Sequence, residues 1–327
     1  MKRNNPFKKI YQLCDTGDSL SKKNNIPRIP RYIDIELTNY CNYNCFMCPV
    51  GTGMMKRQQG FMSDNTYNII LNQIKDYKIP IRFIRWGEPT LHKKFIEYII
   101  EAKKLGIICH FNTNGTLLTE EDIKQLIEIE LDSIKFSFQG VDEKSYSEMR
   151  NSNYYNSLLD KIKLVHKMRG NKQFPYIHVA STITYETKNQ INDFKKNIQE
   201  YCDLVTIGRT VLEHIDIDKV KLSLDKKDML KELKTKESVI KKHYNCCPEI
   251  FDKLSINWNG DVTACCRDYD NKMLVGNINE SSLIDIWNSD KINSFRKILG
   301  ENKYDKLELC KTCYDYMALE TDNLQEI

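Results

Sequence analysis

The stretch YIDIELTNYCNYNCFMC, residues 32–48, joins a predicted β-strand to a loop that is rich in cysteine. In the strand, residues 32–38, apolar and polar side chains alternate, so that Asp34 and Glu36 share one face. The loop then brings three thiols within eight residues of chain: Cys41, Cys45 and Cys48. Thiols this close in sequence are typical of metal or iron–sulfur ligands rather than of disulfides in a protein without a secretory signal.

A regular alternation of strand and helix continues from this first strand to residue 210. The further strands are predicted over residues 81–86, 107–112, 132–138, 176–184 and 204–209. Repeated βα units form either a parallel barrel or a doubly wound sheet, and the latter covers both sheet faces with apolar helices. The polar face recurs at Lys135 and His178, so we expect an α/β fold with a partial (β/α)6 TIM-like barrel over residues 32–210 and a polar lumen. In the alternative, these polar groups pair with one another near strand ends.

Four segments lie outside the predicted barrel: an N-terminal extension (1–31), a charged helical bridge (211–243), a small C-terminal α+β module (244–316) and a tail (317–327). In the module, LSINWNGDVTACC (254–266) predicts a β-hairpin that turns at Asn259 and Gly260. A Cys-x-x-Cys pair follows, from Cys310 to Cys313. The module is too small for a large hydrophobic core, so we expect a bound metal or cluster to stabilise it.

Composition excludes several classes of protein. Lys and Arg together number 49 against 45 Asp and Glu in 327 residues, which is too balanced for a typical nucleic-acid-binding protein. No apolar run approaches the ~20 residues that span a bilayer, and the N-terminal residues lack the apolar segment of a secretory signal. We therefore expect a cytoplasmic protein without a nucleic-acid or membrane partner, in which the 12 cysteines are mainly ligands or catalytic groups.

The motif CxxxCxxC after the first strand of a parallel barrel resembles the signature of the radical S-adenosylmethionine (SAM) superfamily. In that family, three cysteines bind three irons of a [4Fe–4S] cluster, and the fourth iron chelates SAM. Reduction by a partner such as flavodoxin or ferredoxin then cleaves SAM to a 5′-deoxyadenosyl radical. The resemblance therefore implies an enzyme that removes a hydrogen atom from a substrate C–H bond.

Further motifs of this family follow at the ends of later strands. RWGEP (85–89) resembles GGEP, with Trp86 in place of the first glycine, and implies that Glu88 binds the SAM ammonium group. FNTNGT (111–116) and SFQG (137–140) resemble the motifs after the third and fourth strands. By this resemblance the SAM-binding residues are Met47, Gly87, Glu88, Asn114, Ser137 and Thr184. The carboxyl ends of parallel strands are also where barrel active sites lie.

The C-terminal module resembles the SPASM/twitch extension of the same superfamily. Its pattern of Cys, Gly and Cys is matched by Cys247, Gly260 and Cys265. The implied cluster ligands are Cys247, Cys265, Cys310 and Cys313. Because no cysteine follows Cys313, we expect the shorter twitch type with one auxiliary [4Fe–4S] cluster. Cys246 has the same spacing as Cys247 and is an alternative ligand, and a zinc ribbon is the alternative for the whole set.

The reaction depends on what a substrate radical meets next. Loss of an electron to the auxiliary cluster would make a dehydrogenase, which also needs a base; the candidates are Asp34, Glu36, Lys135 and His178. Return of hydrogen from a thiol would make an epimerase; the candidate thiols are Cys266, Cys246 and Cys109. Cross-linking within a bound peptide would make a peptide maturase. An electron-transfer protein without catalysis is a further alternative, but it would need neither Glu88 nor Ser137.

Cys266 distinguishes the first two reactions. It follows Cys265 at the end of a predicted strand, so the two thiols point to opposite faces and do not bind one cluster. Cys266 is then either a buried apolar side chain or a thiol that faces the substrate. We favour oxidation or epimerisation of a small polar substrate, such as a sugar or cyclitol. A peptide maturase usually carries a winged-helix domain, and the 31 residues before the first strand are too few for one.

Overall fold

Parallel strands and the helices that connect them make up the chain between residues 32 and 209. The structure is a computed structural model that describes residues 3–14, 19–184, 186–210, 212, 215–238, 242–243, 247, 249–311, 313 and 317–318. The strands are β1 (Tyr32–Ile35), β2 (Ile81–Phe83), β3 (Cys109–Thr113), β4 (Ser133–Ser137), β5 (Tyr176–Ile183), β6 (Leu204–Arg209), β7 (Lys242–His243), β8 (Lys253–Ile256), β9 (Asp261–Thr263), β10 (Leu274–Asn277) and β11 (Met317–Ala318). The helices are α1 (Lys8–Cys14), α2 (Ser19–Asn24), α3 (Asp64–Ile74), α4 (Phe95–Lys104), α5 (Glu120–Glu128), α6 (Glu143–Arg150), α7 (Tyr155–Arg169), α8 (Lys188–Ile198), α9 (Leu224–Ser238), α10 (Leu283–Asn288) and α11 (Asp290–Gly300).

Strands β1 to β6 form a parallel array in chain order, as six βα units require. The register pairs Asp34 with Arg82, Arg82 with His110, and His110 with Ser133. This row of polar side chains occupies the lumen, whereas alternate residues such as Phe111 are fully buried in the hydrophobic core. The predicted partial barrel with a polar lumen is therefore confirmed.

Short polar side chains begin the helices that follow the strands. The Ser63 hydroxyl accepts the backbone N–H of Thr66 at the start of α3. At the start of α5, Thr119 and Asp122 form a capping box in which each side chain accepts the other's backbone N–H. Caps of this kind contribute about 1 kcal/mol each. They fix the residue at which each loop ends, and the loops at the carboxyl ends of the strands carry the site.

The segment 142–169, which the sequence pattern suggests is one helix, is divided into α6 and α7. Asn151 adopts a left-handed conformation with φ of 54° and ends α6. Asparagine tolerates this conformation better than most residues. The division puts Arg150 at the last residue of α6, where its Nη2 donates to the carbonyl oxygen of Ser137 at 2.6 Å.

The C-terminal module continues the sheet of the barrel. Strand β8 pairs in parallel with β1, with Asp34 opposite Ser255, and β9 and β10 add antiparallel strands beyond it. The hairpin predicted around Asn259 and Gly260 is present as β8 and β9, but its pairing with the barrel was not predicted. This pairing covers an edge of β1 that would otherwise present free backbone groups to solvent.

The N-terminal segment packs under the barrel. The buried Phe7 ring lies 5.8 Å from the ring of His110, and Arg82 donates to the hydroxyl of Tyr11 at 3.1 Å. In α2, Lys22 forms a buried ion pair with Asp252 of the C-terminal module. The residues predicted as an extension therefore join barrel and module. None of the described helices combines the length and apolar composition that crossing a bilayer requires.

Candidate active site

A cavity of about 360 Å³ opens at the carboxyl ends of the barrel strands, and we name it the upper cavity. Its lining includes these residues predicted from the sequence: Cys41, Cys45, Met47, Cys48, Gly87, Glu88, Asn114, Lys135 and Ser137. Thr184 is not among the described lining residues; Thr182, two residues earlier on the same strand face, lines the cavity instead. The four motifs at four strand ends thus meet in one space.

Glu88 is held by a fixed set of donors at the base of this cavity. Its Oε1 accepts the hydroxyls of Thr90 and Thr113 at 2.7 and 2.8 Å, and its Oε2 accepts the backbone N–H of Asn114 at 2.7 Å. Burial raises the pKa of Glu88, and these donors oppose the rise. The carboxylate is therefore oriented before any ligand binds, as recognition of an ammonium group requires.

Gly87 allows the Glu88 loop to approach the cysteine loop. Its φ is 92°, and a Cβ there would lie 2.4 Å from the carbonyl oxygen of Thr38 and 2.7 Å from that of Tyr40. The next residue, Glu88, donates its backbone N–H to the Tyr40 oxygen at 2.8 Å. Any other residue at position 87 would separate the two loops, because only glycine combines this φ with such close contact.

The three thiols of the first loop lie in surroundings that favour bound iron over free thiolate. Burial raises the pKa of Cys41 to about 12 and also raises that of Cys48. Buried thiols of this kind ionise when a metal supplies the compensating positive charge. Arg150, which the sequence analysis missed, donates from Nη1 to Cys45 Sγ at 3.8 Å. The sequence feature that could have indicated Arg150 is its position directly before Asn151, the residue that ends α6.

A second pocket gathers the cysteines of the C-terminal module. The cysteines that line it are Cys247, Cys265, Cys310 and Cys313. The rest of the wall is largely apolar, with Met273 and Leu309 among its side chains. Backbone N–H groups of Glu249 and Arg267 point at the sulfurs of Cys247 and Cys265, both at 3.4 Å. Cys246, the alternative ligand, lies outside the described residues.

The spacing of the sulfur atoms fits clusters better than single metal ions. Four thiolates around one zinc at ~2.3 Å would lie about 3.8 Å from one another. In the described part of the chain, Asp34, Glu249 and Cys266 place three potential ligand atoms within 4.8 Å of one another. No three of the predicted cysteine ligands described there lie that close together. Both cysteine sets therefore fit the larger [4Fe–4S] group, with three thiols in the upper cavity and four in the second pocket.

Arg85 connects the two cysteine sites. It lines the upper cavity, and its Nη1 donates to the carbonyl oxygen of Cys265 at 3.0 Å. Its Nη2 donates to the carbonyl oxygen of Asp268 at 2.8 Å, in the turn that follows this ligand. The side chain is fully buried and also lies 3.8 Å from the Glu36 carboxylate. In the sequence, Arg85 is the first residue of RWGEP (85–89), a motif in which the family resemblance assigns a role to Glu88 and none to Arg85.

The predicted bases occupy different surroundings. Asp34 forms ion pairs with Arg82 and Lys253. Glu36 forms a bidentate ion pair with Arg57, with distances of 3.0 and 2.9 Å. Both carboxylates are therefore occupied by cations and poorly placed to act as bases. Lys135 has no ion-pair partner in the part of the chain that the structure describes, and His178 Nε2 lies 2.8 Å from Thr206 Oγ1. Burial lowers the pKa of Lys135 to about 8 and that of His178 to about 3.

Cys266 and Cys109 are not among the described residues that line the upper cavity, and the third candidate thiol, Cys246, lies outside the described residues. Cys266 is near Glu249, and burial together with this carboxylate raises its pKa to about 12. Lys253 lies in the same cluster, 2.6 Å from Glu249 and 2.8 Å from Asp34, so these groups form a buried ion-pair network. Cys109 is fully buried in the hydrophobic core.

This combination of a polar parallel barrel, three thiols beside an oriented carboxylate and a separate four-cysteine pocket defines an iron–sulfur enzyme that uses SAM. Residues 35–198 match the family model of the radical SAM superfamily, and residues 246–314 match the SPASM model, described as an iron–sulfur cluster-binding domain. The chain belongs to the radical SAM superfamily. Its cofactors are a SAM-binding [4Fe–4S] cluster, an auxiliary [4Fe–4S] cluster and SAM.

Curated relatives match most of the chain. A tungsten-containing aldehyde ferredoxin oxidoreductase cofactor-modifying protein of Pyrococcus furiosus is 27% identical, over 86% of this chain and 87% of its own. The S-adenosyl-L-methionine-dependent 2-deoxy-scyllo-inosamine dehydrogenase of Niallia circulans is 25% identical, over 86% of this chain and 91% of its own.

Solved structures share the fold. BtrN in complex with AdoMet and 2-DOIA has a TM-score of 0.56 at 20% identity and covers 88% of this chain and 98% of its own. Streptococcus suis SuiB bound to S-adenosylmethionine has a TM-score of 0.66 at 19% identity and covers 89% of this chain and 74% of its own. At these identities the likeness establishes the fold alone.

Proposed function

We propose that this enzyme is a SAM-dependent dehydrogenase that oxidises an alcohol carbon of a small polar, sugar- or cyclitol-like substrate. The observation that carries the proposal is the pairing of an open three-thiol site with a closed four-thiol site, joined through Arg85. The relative from Niallia circulans, a 2-deoxy-scyllo-inosamine dehydrogenase that aligns over most of both chains, supports it.

When bound, the cofactors would supply a 5′-deoxyadenosyl radical for hydrogen-atom removal and, in the auxiliary cluster, an acceptor for one electron. The residues of the chain bind and orient. Glu88, already held by three donors, receives the SAM ammonium group, and Gly87 lets its loop reach the cysteine loop. Ser137 and Asn114 line the same wall as expected for SAM contacts.

Oxidation of an alcohol radical also releases the hydroxyl proton. His178 is the candidate acceptor, because it lines the lumen and its imidazole is neutral at pH 7; its lowered pKa makes the protonated ring a transient carrier that passes the proton on to solvent. Its Nε2 bonds Thr206 Oγ1 at 2.8 Å. The substrate alcohol thus loses a hydrogen atom from carbon, one electron from the resulting radical and the proton of its hydroxyl group, and the carbon becomes a carbonyl.

Oxidation is favoured over epimerisation by the surroundings of Cys266. An epimerase needs a thiol that faces the substrate, whereas this thiol lies against Glu249 and is not among the described residues lining the upper cavity. The wall of the auxiliary pocket supports the same choice, since four thiols complete the coordination of one cluster and leave it suited to electron transfer.

The test is an anaerobic reaction of reconstituted enzyme with SAM, dithionite and a panel of cyclitols and sugars in D₂O. Release of 5′-deoxyadenosine together with a carbonyl product free of deuterium is expected. An epimerised product that carries deuterium would contradict oxidation.

Peptide modification is the second candidate. The shared fold with SuiB, which has been solved with its precursor peptide SuiA, favours it. Turnover of a peptide but of none of the polyols would establish this alternative.

A further inference from the structure

Beneath the upper cavity, the lumen contains a second space of about 360 Å³, which we name the lower chamber. Its wall includes Arg82, His110, Ser133, Lys135, Tyr176 and His178. Phe7 and Tyr11 of the N-terminal segment also line it, at the amino-terminal ends of the strands. Ile84, Asn112 and Lys135 line both spaces, so the lower chamber lies directly against the upper cavity.

The described lining of the lower chamber contains no aspartate or glutamate. Arg82 is already neutralised by Asp34, with two hydrogen bonds of 2.7 and 2.9 Å. Burial lowers the pKa of His110 and of His178 to about 3, so both rings are neutral at pH 7. The ammonium group of Lys135 is therefore left without a compensating charge in the described wall.

Lys135 and Asn112 are also donors without acceptors. Lys135 has no hydrogen-bond or ion-pair partner among the described residues, although burial and the charge of Arg82 lower its pKa to about 8. Asn112 accepts from His110 Nε2 at 2.7 Å through Oδ1, which leaves its amide N–H groups unused within the described chain. The register pairs these two residues directly across β3 and β4. Both side chains are half-buried and line the cavity, so their donors are open to a ligand that accepts hydrogen bonds.

We propose that Lys135 and Asn112 bind an oxyanion, either phosphate or carboxylate, that belongs to the substrate, so that the enzyme acts on an acidic rather than a neutral or cationic polyol. The proposal rests on the function proposed above and specifies the substrate class of the same site. An ammonium and an amide N–H from adjacent strands form the charge-assisted hydrogen bonds that such an anion accepts.

The dimensions favour a substrate group over a free ion. A chamber of about 360 Å³ exceeds the size of one phosphate, and it shares Ile84, Asn112 and Lys135 with the upper cavity. Lys135 lies two residues before Ser137 on the same face of β4, a rise of about 7 Å along the strand. A sugar-sized molecule anchored at Lys135 would therefore reach the level of the SAM-binding residues.

The proposal is tested by calorimetric titration of inorganic phosphate into the reconstituted enzyme with SAM at pH 7. Saturable binding is expected for the wild type, and Lys135→Met, which keeps the length and removes the charge, is expected to weaken it about tenfold. Lys196→Met removes the same charge from an exposed position on α8 and should bind like the wild type. Equal affinity in all three proteins, or no saturable binding to the wild type, would overturn the proposal.

Asn112→Asp provides a second variant that does not depend on the stability of Lys135→Met. It keeps the acceptor for His110 and converts the donor that faces the chamber into a carboxylate oxygen. Phosphate binding should fall by at least about tenfold, because a like charge replaces a hydrogen-bond donor. Unchanged binding in this variant would contradict the assignment of Asn112.

A further titration with glycerol 3-phosphate separates a substrate group from a free ion. An ester that binds as well as inorganic phosphate and competes with it supports a substrate group, whereas binding of inorganic phosphate alone overturns that part of the proposal. Formation of 5′-deoxyadenosine is measured on the same wild-type preparation. Enzyme that cleaves SAM but binds no phosphate contradicts only the oxyanion site, and enzyme that does not cleave SAM contradicts the proposed function.

Discussion

The two cysteine sites use the same ligand chemistry in opposite ways. The first takes three thiols from one loop, between Cys41 and Cys48, and opens into a cavity of about 360 Å³ beside Glu88. The second takes four thiols from distant points between Cys247 and Cys313 and encloses them with apolar side chains. An incomplete set of ligands in an open cavity suits binding of a small molecule, whereas a complete set in an apolar pocket suits storage of an electron.

The largest expected effect separates these roles by removing each set in turn. Replacing Cys41, Cys45 and Cys48 by Ala should leave about four of about eight iron atoms per chain and abolish 5′-deoxyadenosine formation, because no cluster remains to bind SAM. Iron analysis and chromatography of the reaction check this. Retained SAM cleavage in the triple variant would contradict the assignment of the first loop.

The matching change in the second site is Cys310→Ala. It should spare SAM cleavage and stop formation of oxidised product, because the electron acceptor is lost. Four iron atoms with one tightly bound zinc in the wild type would instead support the zinc ribbon.

The next effect tests the connection between the sites. Arg85→Met removes donors to the carbonyl oxygens of Cys265 and Asp268 and leaves them unpaired in a buried position. We expect a loss of about 3 kcal/mol of stability and a fall in auxiliary iron, measured by thermal unfolding and iron analysis. Arg28→Met, at an exposed position, is the matched control and should change neither. A normal iron content in Arg85→Met would mean that the two sites are independent.

An effect of about the same size on stability, but without loss of iron, is expected where the two loops of the upper cavity meet. Gly87→Ala would place a Cβ at a positive φ, 2.4 and 2.7 Å from two backbone oxygens. We expect this substitution to lower the free energy of unfolding by about 3 kcal/mol and, because it moves Glu88, to weaken SAM binding. Gly53→Ala has a φ of 71° but no atom within 4 Å of the added Cβ, and should cost about 1 kcal/mol without changing SAM affinity. Urea unfolding and SAM titration measure both. Equal costs in the two variants would exclude the steric explanation.

The smallest effect concerns pH and the contact between barrel and module. Burial alone would raise the pKa of Asp34, but Arg82 of the barrel and Lys253 of the module outweigh it and lower the pKa from 3.8 to about 2. The unfolded chain therefore takes up a proton first as the pH falls, so a contribution of about 2 kcal/mol is present above pH ~4 and is lost toward pH ~2.

This contribution is measured as the difference in free energy of unfolding between the wild type and Asp34→Asn, in protein that has not been reconstituted. The difference should shrink between pH ~5 and pH ~3. A difference that stays constant over this range would show that the ion pair does not titrate with folding.

The sequence by itself determined the barrel and predicted both sets of cysteines, which the structure gathers in two pockets. Alternation in the strands, as at Asp34 and Glu36, requires one polar and one apolar face, and six such units leave few arrangements other than a barrel with a polar lumen. The spacing of Cys41, Cys45 and Cys48 is likewise a local property. Three residues of one loop lie close together in any fold that keeps the loop.

Only the tertiary structure decided what each polar group faces. The sequence gives Cys266 an orientation relative to its own strand, but Asp34 and Glu249 lie beside it because β8 pairs with both β1 and β9. Glu36 and Asp34 are candidate bases in the sequence, yet both form ion pairs with residues of other elements, while Lys135 on the same lumen face has no ion pair within the described ranges. The physical reason is that strand alternation fixes a direction for each side chain, whereas partner, burial and charge depend on contacts between residues far apart in the chain.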